Sequence, residues 1–348
     1  MKRIDIKSIP LPDLTARFEA LGQPKFRAKQ VFRWIHQKQV GNFNEMSDLP
    51  LEFREKCNEI FYIESINIKK RLVSSIDGTV KYLYELQDGN TVEAVLMKYK
   101  HGNSLCISTQ VGCRMGCAFC ASTIGGLVRS LTAGEMLEEV YSAGRDTGEK
   151  VSSIVLMGIG EPLDNYDNVL GFLRILSAPD GLNLSLRHVS LSTCGLVEQI
   201  DLLAQEKLPL TLSVSLHAPN DAARNRTMPI NRKYPVDELL AACTRYFHAT
   251  GRRISFEYAL IAGENDTPAH ARELGQKLRG MNCHVNLIPV NPVGGKQFRA
   301  SEKSSIGQFV SILEGLGVTT TVRRRLGTDI NAACGQLRRE DASTGTPH

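Results

Sequence analysis

Three cysteines, Cys113, Cys117 and Cys120, lie within eight residues of one another in the run CISTQVGCRMGCAFCASTIGGLVR (106–129), spaced C-x3-C-x2-C. Thiolates this close can hold three corners of a [4Fe–4S] cube, which ordinarily takes four. The fourth iron is then open to bind a substrate. Gly112 and Gly116 let the backbone bend around such a cube, and Phe119 can shield one side from water. A structural zinc site and buried free thiols are the alternatives. Closed zinc sites take four protein ligands, usually from two C-x2-C pairs, and the sequence has no second pair.

The rest of the chain must position that loop. Its 348 residues allow one large domain and a smaller one with a sizeable core. The nine cysteines are an odd count with three in one motif, which fits metal or catalytic use in a reducing cytoplasm better than a secreted disulfide framework. No apolar run approaches the roughly 20 residues that span a bilayer, and MKRIDIKSIPLPDL lacks an apolar signal core. The net charge of +5 gathers at Lys69-Lys70-Arg71, Arg252-Arg253, Arg323-Arg324-Arg325 and Arg338-Arg339. Such clusters suit nucleic acid or a solvated surface equally.

Residues 1–62 read as a small helical domain. Leu14, Phe18 and Leu21 mark one apolar face, Phe26, Val31, Phe32, Trp34 and Ile35 a second, and Pro50 opens a third helix. Arg27, Lys29, Arg33 and Lys38 could lie against phosphates or be solvated. Residues 63–100 read as a β extension, with strands over 79–86 and 91–99 flanking an Asp88-Gly89 turn. From 101 to 337 strands and helices alternate. Thr132 with Glu135 forms a capping box for a helix over 132–147. Strands over 152–158, 187–193, 210–217, 253–260 and 284–290 are each followed by a helix, and a last strand covers 318–324. About six βα units are too few for a closed eight-fold barrel. The fold class expected is α/β, a partial (β/α)6 barrel with the small helical domain and a β-hairpin extension. The polar tail, 338–348, is expected to fray.

In such sheets ligands bind at the C-terminal strand ends. There the sequence places MGIGEP (157–162), Ser192-Thr193-Cys194-Gly195, Ser215-Leu216-His217 and Pro289-Val290-Asn291-Pro292. Each is small or hydrogen-bonding, and one alone would be an ordinary turn or cap. Together with an open iron they suit S-adenosylmethionine (SAM). Its amino and carboxylate groups can chelate iron, and one electron cleaves its sulfonium bond to give a 5′-deoxyadenosyl radical.

The chain resembles the radical SAM RNA methyltransferases of the RlmN/Cfr type. The matching runs are LGQPKFRAKQVFRWIH, CISTQVGCRMGCAFCASTIGGLVRSLTAGE, MGIGEPLDNY, LSTCG, SVSLHAPND, RNRTMPINRKYP, LIPVNP and RRRLGTDINAACGQL, spread from Leu21 to Leu337. The resemblance implies a [4Fe–4S] cluster on Cys113, Cys117 and Cys120. It implies SAM contacts from Gly160, Glu161, Ser192, Ser215, Leu216, His217 and Asn291. Cys334 corresponds to a cysteine methylated during turnover, Glu93 to a proton acceptor, and Cys106 to a cysteine that resolves the intermediate by a transient disulfide with Cys334. From the residues alone, Glu93 could be a solvated strand carboxylate, Cys334 a small buried hydrophobe, and Cys106 a core residue. Cys57, Cys194, Cys243 and Cys283 read as structural.

The implied reaction methylates carbon 2 of adenine, in 23S rRNA near the peptidyl transferase centre and in tRNA beside the anticodon. Two SAM molecules serve one turnover. Carbon 2 is electrophilic, so direct methyl transfer fails there. A methyl group first placed on Cys334 would lose a hydrogen to the radical and add to the ring, and a base within about 3 Å would remove the carbon 2 proton. Carbon 8, as in Cfr, is the alternative target. The implied setting is cytoplasmic and monomeric, away from membranes, with an electron donor such as flavodoxin. A glycyl-radical activator and a zinc module binding RNA are the other readings.

Overall fold

The computed structural model describes residues 3–100, 102–291, 293 and 297–337. Arg338-Arg339, the tail expected to fray and Pro292 lie outside them.

Three helices form the N-terminal part. α1 (Leu11–Ala20) buries Leu14 and Phe18, α2 (Lys25–His36) buries Val31, Phe32 and Ile35, and α3 (Leu51–Ile60) buries Phe53 and Cys57. Phe18 meets Phe53 edge-on at 5.2 Å. A short parallel pair, β1 (Ile4–Asp5) and β2 (Phe61–Tyr62), ties the ends of this part together. Phe26, read as a core residue, is 57% exposed. It falls on the face of α2 opposite Ile35, and the Arg27 guanidinium covers its ring at 5.1 Å. Lys29 and Arg33, both about half exposed, pair with Asp180 of the barrel at 3.0 and 2.7 Å.

Next comes an antiparallel meander: β3 (Asn67–Val73), β4 (Val80–Glu85) and β5 (Thr91–Tyr99), with the expected Asp88-Gly89 turn between the last two. β5 pairs antiparallel with β6 (Gly102–Cys106), the first barrel strand. A small ribbon, β7 (Gln110–Gly112) with β8 (Leu127–Ser130), brackets the cysteine loop. Then come α4 (Ala133–Thr147), β9 (Val151–Leu156), α5 (Tyr166–Ser177), β10 (Val189–Thr193), α6 (Val197–Glu206) and β11 (Thr211–Ser215). α7 (Asp221–Thr227), α8 (Val236–Thr250), β12 (Ile254–Leu260), α9 (Pro268–Leu278), β13 (Cys283–Pro289), α10 (Lys303–Gly315) and β14 (Thr320–Val322) follow. The ten-stranded sheet runs β14-β13-β12-β11-β10-β9-β6-β5-β4-β3, parallel from β14 to β6.

This is the partial (β/α)6 barrel expected from the six strand–helix repeats. The predicted capping box of α4 is present, with Glu135 N donating to Thr132 Oγ1 at 3.1 Å and Thr132 N to Glu135 Oε2 at 2.9 Å. The strands are not uniformly apolar. Leu191, Leu212, Val214, Phe256 and Leu287 pack outward under the helices, while Ser190, Ser192, Ser213, Ser215, Glu257 and Asn286 alternate inward. Period-2 alternation lets one strand serve an apolar core and a polar lumen at once.

After β14 the chain crosses the open side of the sheet. Gly327 N donates to Asp77 Oδ2 at 2.9 Å, and Ser75 N to Asp329 Oδ2 at 2.9 Å, so this C-terminal loop is pinned to the β3–β4 turn at the far edge. The N-terminal part docks on α4. His36 Nδ1 lies 2.9 Å from the Tyr141 hydroxyl, and the buried Lys7 pairs with Glu138. Among the described residues no helix is long and apolar enough to cross a membrane.

Candidate active site

The cysteine loop hangs from β7 and β8. Gly112, at φ +78°, sits against the Gly126 carbonyl where a Cβ would clash, so the loop can close only with glycine there. Cys113 N donates to Gly126 O at 3.2 Å, Ala118 N to Thr227 O at 2.8 Å, and Ala121 N to Gly335 O at 2.8 Å. The loop is therefore braced by the ribbon, by α7 and by the C-terminal loop.

Cys113, Cys117 and Cys120 line a cavity of about 990 Å³, counting its mouth. Gly160, Glu161, Ser192, Ser215, His217, Asn291 and Cys334 line it as well. Leu216 does not; its side chain is in the core, and its N–H donates to Glu257 O on the neighbouring strand at 3.1 Å. Burial pushes the Cys113 thiol up to about 12, with Glu161 and Cys120 adding to it, and drives Cys117 up also. A bare thiolate triad is thus disfavoured, and cationic iron is what would hold it deprotonated. Among the described residues no three His, Cys, Asp or Glu groups converge on a single-ion site.

The rim is rigid. Gly160, at φ +108°, lies where a Cβ would come 2.6 Å from Gln110 Cβ. The Glu161 carboxylate accepts from Cys194 N at 2.7 Å and Leu163 N at 3.1 Å, joining the ends of β9 and β10. That side chain is a brace first, and its backbone N–H is held by Gln110 Oε1 at 2.9 Å. His217 takes a left-handed φ of +57°. Burial, then Arg224, lowers it to about 3, so the ring is neutral. Its Nδ1 accepts from Ala259 N at 2.8 Å, which leaves the proton on Nε2 as a donor. Glu257, unremarked in the sequence, also lines the cavity, accepting from Asn286 Nδ2 at 2.9 Å and Ser255 Oγ at 3.1 Å. Its only signal was a carboxylate inside the strand ISFEYAL.

A second cavity, about 550 Å³, adjoins the first, and Met157, Ile288, Asn291, Arg323 and Cys334 line both. Cys106, Tyr99, Val95, Met97, Arg324 and Arg325 also line it. Cys334 thus stands in the shared wall. Asn291 Nδ2 donates to the Cys334 carbonyl at 3.1 Å, and Ser122 Oγ to Leu337 O at 2.8 Å. Glu93 shares the β5 face of Val95 and Met97 but is set back from both linings, paired with Lys81 at 2.7 Å.

Comparison with known proteins bears on this arrangement. A model of the radical SAM superfamily matches residues 107–274, and one of the ribosomal RNA large subunit methyltransferase N-terminal domain matches residues 4–63. A protein of Alkaliphilus oremlandii named "Probable dual-specificity RNA methyltransferase RlmN" is 54% identical over 98% of this chain and 99% of its own length. One of the same name from Lachnoclostridium phytofermentans is 52% identical over 97% and 95%.

The chain belongs to the RlmN family.

The crystal structure of a radical SAM methyltransferase from Sphaerobacter thermophilus superposes with a TM-score of 0.90 at 42% identity, over 96% of this chain and 99% of that one. As radical SAM proteins, RlmN-family members use a [4Fe–4S] cluster and SAM. The thiol triad, the rigid polar rim and the lumen beside them fit both groups. The cysteine motif was legible because its spacing is local; Arg224 and Lys81, buried beside the site, were missed because nothing adjacent in sequence marks them.

Proposed function

We propose that the protein methylates carbon 2 of adenine in 23S rRNA and in tRNA, carrying the methyl group on Cys334. The curated relatives' name, dual-specificity RNA methyltransferase, supports RNA as substrate, and the matched N-terminal model names large-subunit ribosomal RNA. The observation that carries the reading is the placement of Cys334 in the wall between the cysteine-lined cavity and the one holding Cys106. A group there can reach SAM on one side and a target base on the other.

In this reading Cys113, Cys117 and Cys120 hold the cluster. When bound, it supplies one electron to SAM, received from a donor such as flavodoxin, and a 5′-deoxyadenosyl radical results. Gly160, Glu161, Ser192, the Ser215–His217 backbone and Asn291 seat SAM, with His217 Nε2–H as a fixed donor. Cys334, as the thiolate, takes a methyl group from a first SAM by displacement, its sulfur–carbon bond forming as the sulfonium bond breaks and S-adenosylhomocysteine leaves. Asn291, bonded to the Cys334 carbonyl at 3.1 Å, fixes the thiol relative to the SAM rim. Glu93 takes the carbon 2 proton, and the Cys106 thiolate attacks the Cys334 sulfur as its bond to the RNA methylene carbon breaks, so that the disulfide forms and the electron pair leaves with the adenine, which takes up a proton to give the methyl product. The target base must leave its stack to enter the lumen. The N-terminal helices and the basic groups Arg324 and Arg325 at the second cavity hold the RNA by its backbone.

The test is anaerobic reconstitution with SAM and either RNA, followed by mass and chromatographic analysis of the nucleosides. 2-Methyladenosine in both RNAs is expected. 8-Methyladenosine would assign the Cfr-type reaction instead, and unmodified RNA from a SAM-cleaving enzyme would remove the reading.

A further inference from the structure

Beneath the cysteine loop lies a buried cation with no carboxylate beside it. Arg224, in α7, is fully buried. Its guanidinium donates to the carbonyls of Cys194 (2.6 Å), Leu216 (2.9 Å), Ser215 (3.1 Å) and Tyr234 (3.5 Å), and to Asn231 Oδ1 (3.1 Å). All five acceptors are uncharged, and among the described residues Arg224 makes no ion pair. Asp221, the acid that influences it, is engaged elsewhere, accepting from Asn231 Nδ2 at 3.0 Å and Val236 N at 2.8 Å. An unpaired buried charge is strongly unfavourable, and arginine does not shed its proton to escape. Bracing strand ends explains the hydrogen bonds but not the charge.

The missing anion has a place. The Thr227 carbonyl of α7 holds Ala118 N of the cysteine loop at 2.8 Å. Cys194 and Ser215, whose carbonyls Arg224 grips, line the cavity with the three thiols. A [4Fe–4S] cluster on three thiolates carries one net negative charge when oxidised and two when reduced by one electron.

We infer that Arg224 is the internal counter-charge of the [4Fe–4S] cluster, a residue that acts through its charge to hold the cluster and favour its reduced state. The inference rests on Cys113, Cys117 and Cys120 being the ligands. The cation stabilises the doubly charged form more than the singly charged one, so it raises the potential at which an external donor delivers the electron.

The experiment uses the full chain, reconstituted anaerobically, with iron analysis and a dithionite titration followed by electron paramagnetic resonance. Three variants are compared with the parent protein. Arg224→Gln removes the charge. Arg224→Lys keeps the charge and loses the planar fork. The exchange Asp221→Asn with Asn231→Asp moves a carboxylate onto the guanidinium at unchanged net charge, so it decides the matter if Arg224→Gln does not fold. Arg224→Gln and the exchange should each show a reduced-to-oxidised cluster ratio about tenfold lower at the potential where the parent is half reduced, about 59 mV for one electron. Arg224→Lys should stay within about twofold. A folded, iron-free Arg224→Gln beside an iron-loaded Arg224→Lys is the stronger form of the same result. A parental potential in the charge-altering variants overturns the inference, as does an equal shift in Arg224→Lys. Cys117→Ala is the separate control: iron retained there at the parental level would instead remove the assignment of the ligands.

Discussion

Lys81 Nζ stands 2.7 Å from Glu93 Oε1, and the same ammonium donates at 3.1 Å to the carbonyl of Asn331, three residues before Cys334. Only 11% of the Lys81 side chain and 7% of that of Glu93 are exposed. One cation thus joins β4, β5 and the loop that carries Cys334. A buried pair of this kind is poor evidence for stability, but breaking it leaves an uncompensated charge.

Glu93→Gln should lower RNA methylation by about 10²- to 10⁴-fold, the usual scale for loss of a general base, while SAM cleavage persists. Lys81→Met should destabilise the protein by about 3–5 kcal/mol and reduce methylation as well, and Lys81→Arg should recover part of both. Thermal melts and nucleoside quantification check these outcomes; normal methylation by Glu93→Gln would remove it as the proton acceptor.

Cys106 is a buried thiol whose pKa is driven well above the usual range by burial first and by Cys334 next, with Arg323 opposing. Disulfide formation requires the thiolate. Resolution of the RNA adduct should therefore speed up steadily with pH, with no plateau below about pH 9, and Arg323→Gln should slow it. Cys106→Ala should leave RNA covalently attached to the protein on a denaturing gel. Turnover by Cys106→Ala at the parental rate would exclude Cys106 as the resolving group.

The Glu161 carboxylate accepts backbone N–H groups from both Cys194 and Leu163. In Glu161→Gln one of those donors meets an amide NH2, at about 1–3 kcal/mol. Melting temperature and SAM affinity should fall together. A loss of affinity without any loss of stability would show the carboxylate to be a direct ligand rather than a brace.

His36 is fully buried against Tyr141 and Phe32, and burial followed by Lys7 lowers it to about 3 from 6.5. Below pH 6.5 the unfolded chain takes the proton and the folded one does not. Its contribution is therefore whole above pH 6.5 and is lost as pH falls toward 3, at about 1.4 kcal/mol per unit. Glu64 works the other way: pushed up to about 7 by burial, then by Asp5 and Glu135, its contribution is present below 4.5 and lost as pH rises to about 7. Between pH 6.5 and 5 the two slopes oppose each other, so His36→Gln should make the melting temperature climb relative to that of the parent as pH falls. An unchanged slope would assign the acid sensitivity elsewhere.

The repeating part of the fold was legible because its cues are local. Apolar periods of two and 3.6 residues alternate down the chain, and Thr132 with Glu135 announces α4 three residues apart. α7 was not legible. Its seven residues, DAARNRT, have no apolar period, and the only cue is the Asn220 cap, whose side chain accepts from Ala223 N. Phe26 misled because type was weighed above helical position. The cysteine loop and the strand-end runs could be found in sequence, and the structure gathers Gly160, Glu161, Ser192, Ser215, His217 and Asn291 on one cavity. Contacts such as Lys81 with Asn331, 250 positions apart, leave no mark in either neighbourhood. Nor does composition show that Glu161 is a brace, or that Lys29 and Arg33 pair with Asp180.

The central claim is that Cys334 carries the methyl group between the two cavities. The most direct measurement pairs peptide mass analysis of the parent enzyme with the Cys334→Ala variant, both reconstituted anaerobically with methyl-labelled SAM. The labelled methyl group should appear on the Cys334 peptide before it appears in RNA, and Cys334→Ala should cleave SAM yet leave RNA unmethylated. Methylated adenine from Cys334→Ala, or a parent enzyme that methylates RNA with no label ever on Cys334, would contradict the account.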